Sequence, residues 1–431
     1  MIRLLAAAAV FLAVLFGVAL AQDAPRTVIH AGRILADPAT GRVETQRSIL
    51  VGQDGTVQRI ENGYVRPEGA QIVDLTGAFV LPGLIDSHVH LTSELGPTQL
   101  LDEVQLTAAD DALRGAENAR ITLEAGFTTV ADLGARNDAI FALRRAIAER
   151  RVPGPRIIAS GFAVTPDGGH GDVNGFAPSV IDVMRSPGAC SGADACRRAT
   201  RRQVQAGADV IKITATGGVL SNTAAGVDLQ LSDAELAAIV EAAHAMGRRV
   251  TAHAHGAGGI SAALRAGVDS IEHGSYADAD SLRLFRSTRA YLVPTILAGV
   301  TVEELADSGG VLTPAQAFKA REVGSRMRAT IREARRLGVR VAFGTDSGVS
   351  EHGRNAREFE FLVEGGYSPL EAIQIATIHA ADHLQLNGVA GRIAPGYSAD
   401  IIAVADDPLA DVRALQAVSF VMARGVIHKG P

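Results

Sequence analysis

Leu81-Pro82-Gly83-Leu84-Ile85-Asp86-Ser87-His88-Val89-His90 is an apolar run punctuated by a turn-prone Pro-Gly pair and ended by two histidines one residue apart. Side chains alternate across an extended strand, so Leu84, Asp86, His88 and His90 share one face while Ile85, Ser87 and Val89 share the other. Two imidazoles pointing the same way suit chelation of one metal ion, since neutral imidazole is a common ligand for zinc. Alone, a His-x-His pair is as much at home in a core or on a surface. A metal site needs further ligands from elsewhere in the chain.

Downstream of this stretch, strands and helices alternate. Runs with strand character occupy 84–90, 127–132, 156–160, 208–214, 249–254, 268–273, 290–295 and 339–345. Stretches rich in Ala, Leu, Arg and Glu separate them, among them 108–125, 139–151, 233–246 and 315–337. Ser232 and Asp233 followed by Glu235 read as a helix start. Eight such units predict a (β/α)8 TIM barrel. A doubly wound open sheet is the alternative, but no Gly-x-Gly-x-x-Gly follows a first strand to support a dinucleotide site. Short β-like runs also lie at 27–30, 48–51, 56–60 and 71–75, with Asp54-Gly55 as a hairpin signal, and again at 399–405 and 418–428. Neither end has enough strands to bury a face. The expected organisation is therefore a barrel over 81–385 and a small β-sandwich built jointly from 22–80 and 386–431.

Functional residues of such a barrel lie at the C-terminal ends of its strands. Those ends carry His88 and His90, Lys212, His253 and His255, His273 and, just after the last strand, Asp346. Five of the 12 histidines thus fall at three strand ends. Lys212 stands out because the chain has only three lysines, and this one sits inside the apolar run Val210-Ile211-Lys212-Ile213. A buried cation is costly unless paired, and a buried amine loses its proton readily. A neutral amine can take up carbon dioxide as a carbamate, whose two oxygens can bridge two metal ions. The plainer alternative is a salt bridge from Lys212 across the barrel mouth.

His88-x-His90, Lys212, His253, His273 and Asp346, in this order and each at a strand end, resemble the metal-dependent amidohydrolase superfamily. The segments Thr251-Ala252-His253-Ala254-His255-Gly256 and Glu272-His273-Gly274 are similar to its prolidase-like and ochratoxinase-like branch, near the imidazolonepropionase-like proteins. The resemblance spans the mature chain. It implies two zinc ions: His88, His90 and Asp346 on one, His253 and His273 on the other, and carboxylated Lys212 on both. Two dications against a carbamate, Asp346 and a bridging hydroxide leave a formal charge of about +1, which keeps the hydroxide bound and available near neutral pH. By the same resemblance the hydroxide attacks a carbonyl, and Asp346 passes its proton to the departing nitrogen. His255 is a candidate substrate contact or a support for the ligands. His170, in the Gly-rich loop after the third strand, is a candidate substrate contact or a solvated loop residue. Asp86, on the face of His88, is a candidate acceptor behind the ligands or a buried structural carboxylate.

The implied activity is cleavage of an amide bond in a small acyl-amino acid, dipeptide or ochratoxin-like aryl-amide. A lactonase, esterase or phosphotriesterase on the same metals is the alternative. A deaminase fits less well because Lys212 favours two metals, and a non-catalytic scaffold would leave an open coordination position unexplained. With 431 residues, 47% of them hydrophobic, the chain can bury a large core. A net charge of −6 without a basic patch gives no footing for nucleic acid. Aromatic content of 4% with no Trp argues against a Trp-lined cage. Residues 1–21 have the charged, apolar and small-residue pattern of an export signal, with an uncleaved anchor as the competing reading. A periplasmic or secreted protein, with no membrane contact once the signal is cleaved, is the resulting expectation. Cys190 and Cys196, the only two cysteines, could then form a disulfide or remain free thiols. A homo-oligomer is left open.

Overall fold

The computed structural model describes residues 25–222 and 226–430. The N-terminal run read as an export signal lies outside the described residues. Four strands come first: β1 (Thr27–Ile34), β2 (Glu44–Val51), β3 (Val57–Asn62) and the long β4 (Gln71–Pro82). β4 passes through Gly83 directly into β5 (Leu84–Val89), the strand that ends in the histidine pair. No side chain fits at this turn, since a Cβ on Gly83 would stand 2.1 Å from Thr128 Oγ1.

The parallel strands that follow are β6 (Phe127–Asp132), β7 (Arg156–Ala159), β10 (Val210–Thr214), β11 (Arg249–Gly256), β12 (Ser270–Tyr276), β13 (Tyr291–Val293) and β14 (Arg340–Val341). Between β7 and β10 the two-residue strands β8 (Thr165–Pro166) and β9 (Ala189–Cys190) pair at the base of a long loop. Helices separate the parallel strands, giving a TIM-barrel-like α/β fold. The eight strands are divided into two parallel arcs, β5-β6-β7 and β10-β11-β12-β13-β14, rather than one continuous ladder. Backbone hydrogen bonds cross both seams. On one side Asp209 N donates to Ala159 O (2.8 Å) and Val164 N to Lys212 O (2.8 Å). On the other, Ser87 N donates to Phe343 O (2.8 Å), Asp346 N to His88 O (2.7 Å) and His90 N to Ser347 O (2.7 Å).

The eighth strand is shorter than the expected 339–345. After Ala342 N, which still donates to Leu292 O of β13, donors are used elsewhere: Phe343 N reaches Ile375 O, and Thr345 N reaches the Asp86 carboxylate. The helix expected over 315–337 is two helices, Pro314–Ala320 and Val323–Leu337, with Glu322 out of helical register at φ −118°. The break lets the first turn toward the barrel mouth, where Gln316 Nε2 and Lys319 Nζ donate to the carbonyls of Leu220, Gly218 and Ser221. The expected start at Ser232 holds, with Ser232 and Glu235 capping each other.

The C-terminal strands β15 (Ile401–Val404), β16 (Val418–Ala423) and β17 (Val426–Lys429) join the first four through β4–β15 pairing. Instead of two separate sheets, the ends make one seven-stranded mixed sheet, ordered β17-β16-β15-β4-β1-β2-β3. One ladder results because β4 is long enough to pair with β1 on one edge and β15 on the other. The sheet curls over its own apolar face, so that Val57 and Ile49 from one half share a core with Phe420 and Met422 from the other. The barrel core is separate and larger, with Phe343 packed between Phe127 and Phe359 at ring-centroid distances of 5.5 and 4.6 Å.

Cys190 and Cys196 are joined, so the disulfide alternative holds over free thiols. The bond fixes β9, and through β8 it fixes the base of the loop carrying His170. Asp86 is fully buried and ties the seam beside the histidine pair. Its carboxylate accepts from His88 N (3.1 Å), Thr345 N (3.1 Å), Thr345 Oγ1 (2.6 Å) and Asn355 Nδ2 (2.8 Å). Asp86→Ala strands these donors in a dry interior, where each unsatisfied group costs about 1–3 kcal/mol. The variant should therefore lose at least about 3 kcal/mol, read as a lowered urea midpoint. An unchanged midpoint would show that the seam does not rest on this carboxylate.

Candidate active site

The parallel strands bring the candidate residues to one end of the fold. Lys212 pairs in register with Thr251, His253 with Glu272, and Ala254 with His273. Two groups of ligand-type atoms result, each with its atoms within 4.8 Å of one another: His88, His90 and Asp346, and His253, His255 and His273. His90 Nε2 lies 3.0 Å and His88 Nε2 3.4 Å from Asp346 Oδ1. The groups touch through His88 and His273, whose ring centroids are 5.2 Å apart. Lys212 Nζ sits 3.3 Å from His88 Nε2.

Wall groups fix which nitrogen each ring presents. His88 Nδ1 donates to Glu272 Oε2 (2.8 Å) and His90 Nδ1 to Gly134 O (3.0 Å). His255 Nδ1 pairs with Ser275 Oγ and His273 Nδ1 with Thr295 Oγ1, each at 2.7 Å. These four rings therefore turn Nε2 inward. His253 is reversed, with Nε2 facing Gly217 O at 3.3 Å and Nδ1 left for the centre. Such a donor set, nitrogen-rich with one carboxylate, suits zinc or a similar divalent ion.

Burial dominates the electrostatics. It holds His88, His253 and His273 far below the ordinary histidine range, and neighbouring cations deepen the effect. His170 is lowered to about 4 and His255 to about 3, again chiefly by burial. These rings are neutral at neutral pH, the state a metal ligand requires. Burial also lowers the Lys212 pKa, opposed by Glu272 and Asp346. Asp346 is held low despite its burial, because His88, His90 and Lys212 favour its charged form. Burial raises the Asp86 carboxyl to about 7.

All eight candidate site residues line one cavity of about 740 Å³. His170 is not a solvated loop residue: its ring centroid lies 4.2 Å from that of His253, and Nδ1 is 2.7 Å from Ser221 Oγ. Gly218 makes room for it, since a Cβ there would meet the imidazole at 2.2 Å. His255 lies in the three-histidine group, beside His253 and His273. Phe162, Phe176, Val302 and Met327 give the cavity apolar walls, and Arg114 and Arg136 stand at its polar side. Strand-end reasoning missed Glu272 and Thr295. Glu272 carried a signal, a carboxylate beside a candidate ligand histidine; Thr295 carried none.

The site and fold define a hydrolase of the metal-dependent type. The Amidohydrolase family model matches residues 79–428, and the chain belongs to that family, within its ochratoxinase-like and prolidase-like branch. It is a hydrolase acting on amide or peptide C–N bonds. Among relatives, the ochratoxinase of Aspergillus niger is 32% identical over 443 aligned positions, covering 96% of this chain and 89% of that protein. A crystal structure of a Xaa-Pro dipeptidase with methionine bound in its active site superposes with a TM-score of 0.88 at 36% identity, covering 94% of this chain and all of the other. The crystal structure of A. niger ochratoxinase superposes with a TM-score of 0.79 at 30% identity, covering 94% and 96% of the two chains.

His90 behaves unlike its neighbours. Burial opposes its protonation, but the hydrogen bond and charge of Asp346 raise its pKa overall. A histidine raised on folding contributes stability that is full below its unfolded value, about 6.5, and is lost as pH rises through the folded value. A divalent ion that takes His90 must displace that proton. Affinity for zinc should therefore weaken as pH falls through the folded value, in competition titrations run from about pH 9 to 5. A pH-independent affinity would exclude His90 as a ligand.

Proposed function

We propose that this chain is a binuclear zinc amidohydrolase acting on small acyl-amino acids, dipeptides or aryl-amides of the ochratoxin type. The observation that carries the reading is a buried lysine set between two groups of ligand atoms. Lys212 is 4% exposed, lies beside His88, and is electrostatically coupled to His253 and His273. A salt bridge does not account for it, because no carboxylate lies within ion-pair distance of its amine among the described residues. As a neutral amine it can be carboxylated, and a carbamate supplies the anionic oxygens that two imidazole-bound dications lack.

In this reading His88, His90 and Asp346 would hold one ion, His253 and His273 the other, and a carboxylated Lys212 would serve both. Bound ions would lower the pKa of water and polarise the scissile carbonyl. Asp346, kept ionised by its neighbours, accepts the proton of the attacking water and delivers it to the departing nitrogen. His255 and His170, neutral and facing the same cavity, orient the substrate carbonyl or carboxylate. The parallel arcs act as one (β/α)8 barrel that holds these side chains at its C-terminal mouth. Amide substrates are favoured over esters, lactones and phosphotriesters by the family and by the two relatives described above, an ochratoxinase and a dipeptidase. The Cys190–Cys196 disulfide supports export to an oxidising compartment.

Lys212→Ala should lose one or both zinc ions by metal analysis, and kcat/KM should fall on the order of a thousandfold or more, the scale of losing groups that act as a unit. Full metal content with wild-type turnover would exclude the bridging role. For substrate class, a mass-read panel of N-acyl amino acids, dipeptides and aryl-amides beside matched lactones and phosphotriesters should show turnover of amides. Turnover of the phosphotriesters alone would overturn the amidase reading.

A further inference from the structure

Thr295 is a β-branched residue in the left-handed region, at φ +49° and ψ +43°, where few residues other than glycine settle without support. It occupies the N-cap of the helix Ile296–Ser308. A threonine there ordinarily turns its hydroxyl onto the first free amides of its own helix. Here it makes no such bond, and Thr295 Oγ1 lies 2.7 Å from His273 Nδ1 instead. Both Thr295 and His273 are buried.

The helix is capped from elsewhere in the chain. Glu358, 0% exposed, accepts from Ile296 N through Oε1 (2.9 Å) and from Leu297 N through Oε2 (2.7 Å). Those amides follow Thr295 directly, so the carboxylate fixes the backbone on the C-terminal side of the strained residue. A carboxylate at a helix N-terminus is favourably placed, since free N–H groups and the helix dipole both face it. Its cost is burial, which raises the Glu358 carboxyl to about 8. A threonine cap would have avoided that cost, yet the hydroxyl is spent on the imidazole.

We propose that Glu358 is a positioning residue for the metal centre: by capping the helix it frees the Thr295 hydroxyl to hold His273 with Nε2 turned toward the ion. The proposal rests on the reading of His273 as a metal ligand. Groups that orient a ligand imidazole typically change metal affinity 10- to 100-fold, on the order seen at other sites.

The test is zinc release from the full-length, metal-loaded protein to a chromophoric chelator, with melting temperature measured in parallel. Thr295→Ala should weaken retention of the more labile ion about tenfold or more, while Thr295→Ser, which keeps the hydroxyl, should stay within about threefold of wild type. Glu358→Gln should weaken it similarly, and adding Glu358→Gln to Thr295→Ala should change it less than about twofold, because both act through one hydroxyl. Wild-type affinity in Glu358→Gln, even with a lowered melting temperature, would reduce Glu358 to an ordinary helix cap. Multiplying losses would show that it does not act through Thr295. If Glu358→Gln does not fold, the Ser and Ala variants decide, and equal affinities overturn the proposal. A wild-type protein that holds zinc while the variants lose nothing defeats this inference alone; a wild-type protein that holds no divalent ion defeats the metal reading with it.

Discussion

Imidazoles crowded together at one mouth must each have a fixed partner for the nitrogen that does not face the centre, and the fully buried ones must also be neutral. That requirement governs the mouth of this fold. His88 uses Glu272, His90 uses Gly134 O, His255 uses Ser275, His273 uses Thr295, and His253 uses Gly217 O. Every partner, Ser275 included, belongs to a different strand or loop from its ring. The result is cross-bracing: moving any one strand end would unseat a ring on another. The supporting loops are secured in turn, as Lys319 and Gln316 do for the carbonyls near Gly218.

Much of this was legible in residue order. Alternation along β5 and β11 placed His88 with His90 and His253 with His255, and the structure brings each pair to one face. Lys212 was conspicuous because a long cation inside an apolar strand needs a reason. What alternation could not supply is the pair Glu272 and His273. Consecutive residues of a regular strand point to opposite faces. Here both point inward, because His273 has φ +70° inside β12, where the register against β11 shifts. Asp346, at φ +58°, is aimed by a similar departure. Left-handed backbone at non-glycine residues is imposed by surrounding contacts, so no local propensity announces it.

The same reason explains the shortened last strand and the broken helix. Composition marked 339–345 as strand and 315–337 as helix, and intrinsic preference there agrees. Tertiary bonds outweighed it: Asp86 draws in Thr345, and the loop at Gly218 draws in Gln316 and Lys319. The terminal segments were readable as β-structure and as mutually dependent. Their union in a single ladder followed from the length of β4, which neither segment reveals when taken by itself.

That ladder bears on how the chain matures. β4 is flanked by β1, made before it, and β15, made more than three hundred residues later. While a ribosome is still extending the chain, one edge of β4 has no mate, and β4 continues through Gly83 into the strand bearing His88. An open strand edge invites wrong partners. Nascent chains of this protein thus carry an unpaired edge on β4 until synthesis is nearly over, although β5 itself is flanked by β6 and by the segment around Phe343. The length of time that this edge stays open is set by topology alone, with no reference to the active site.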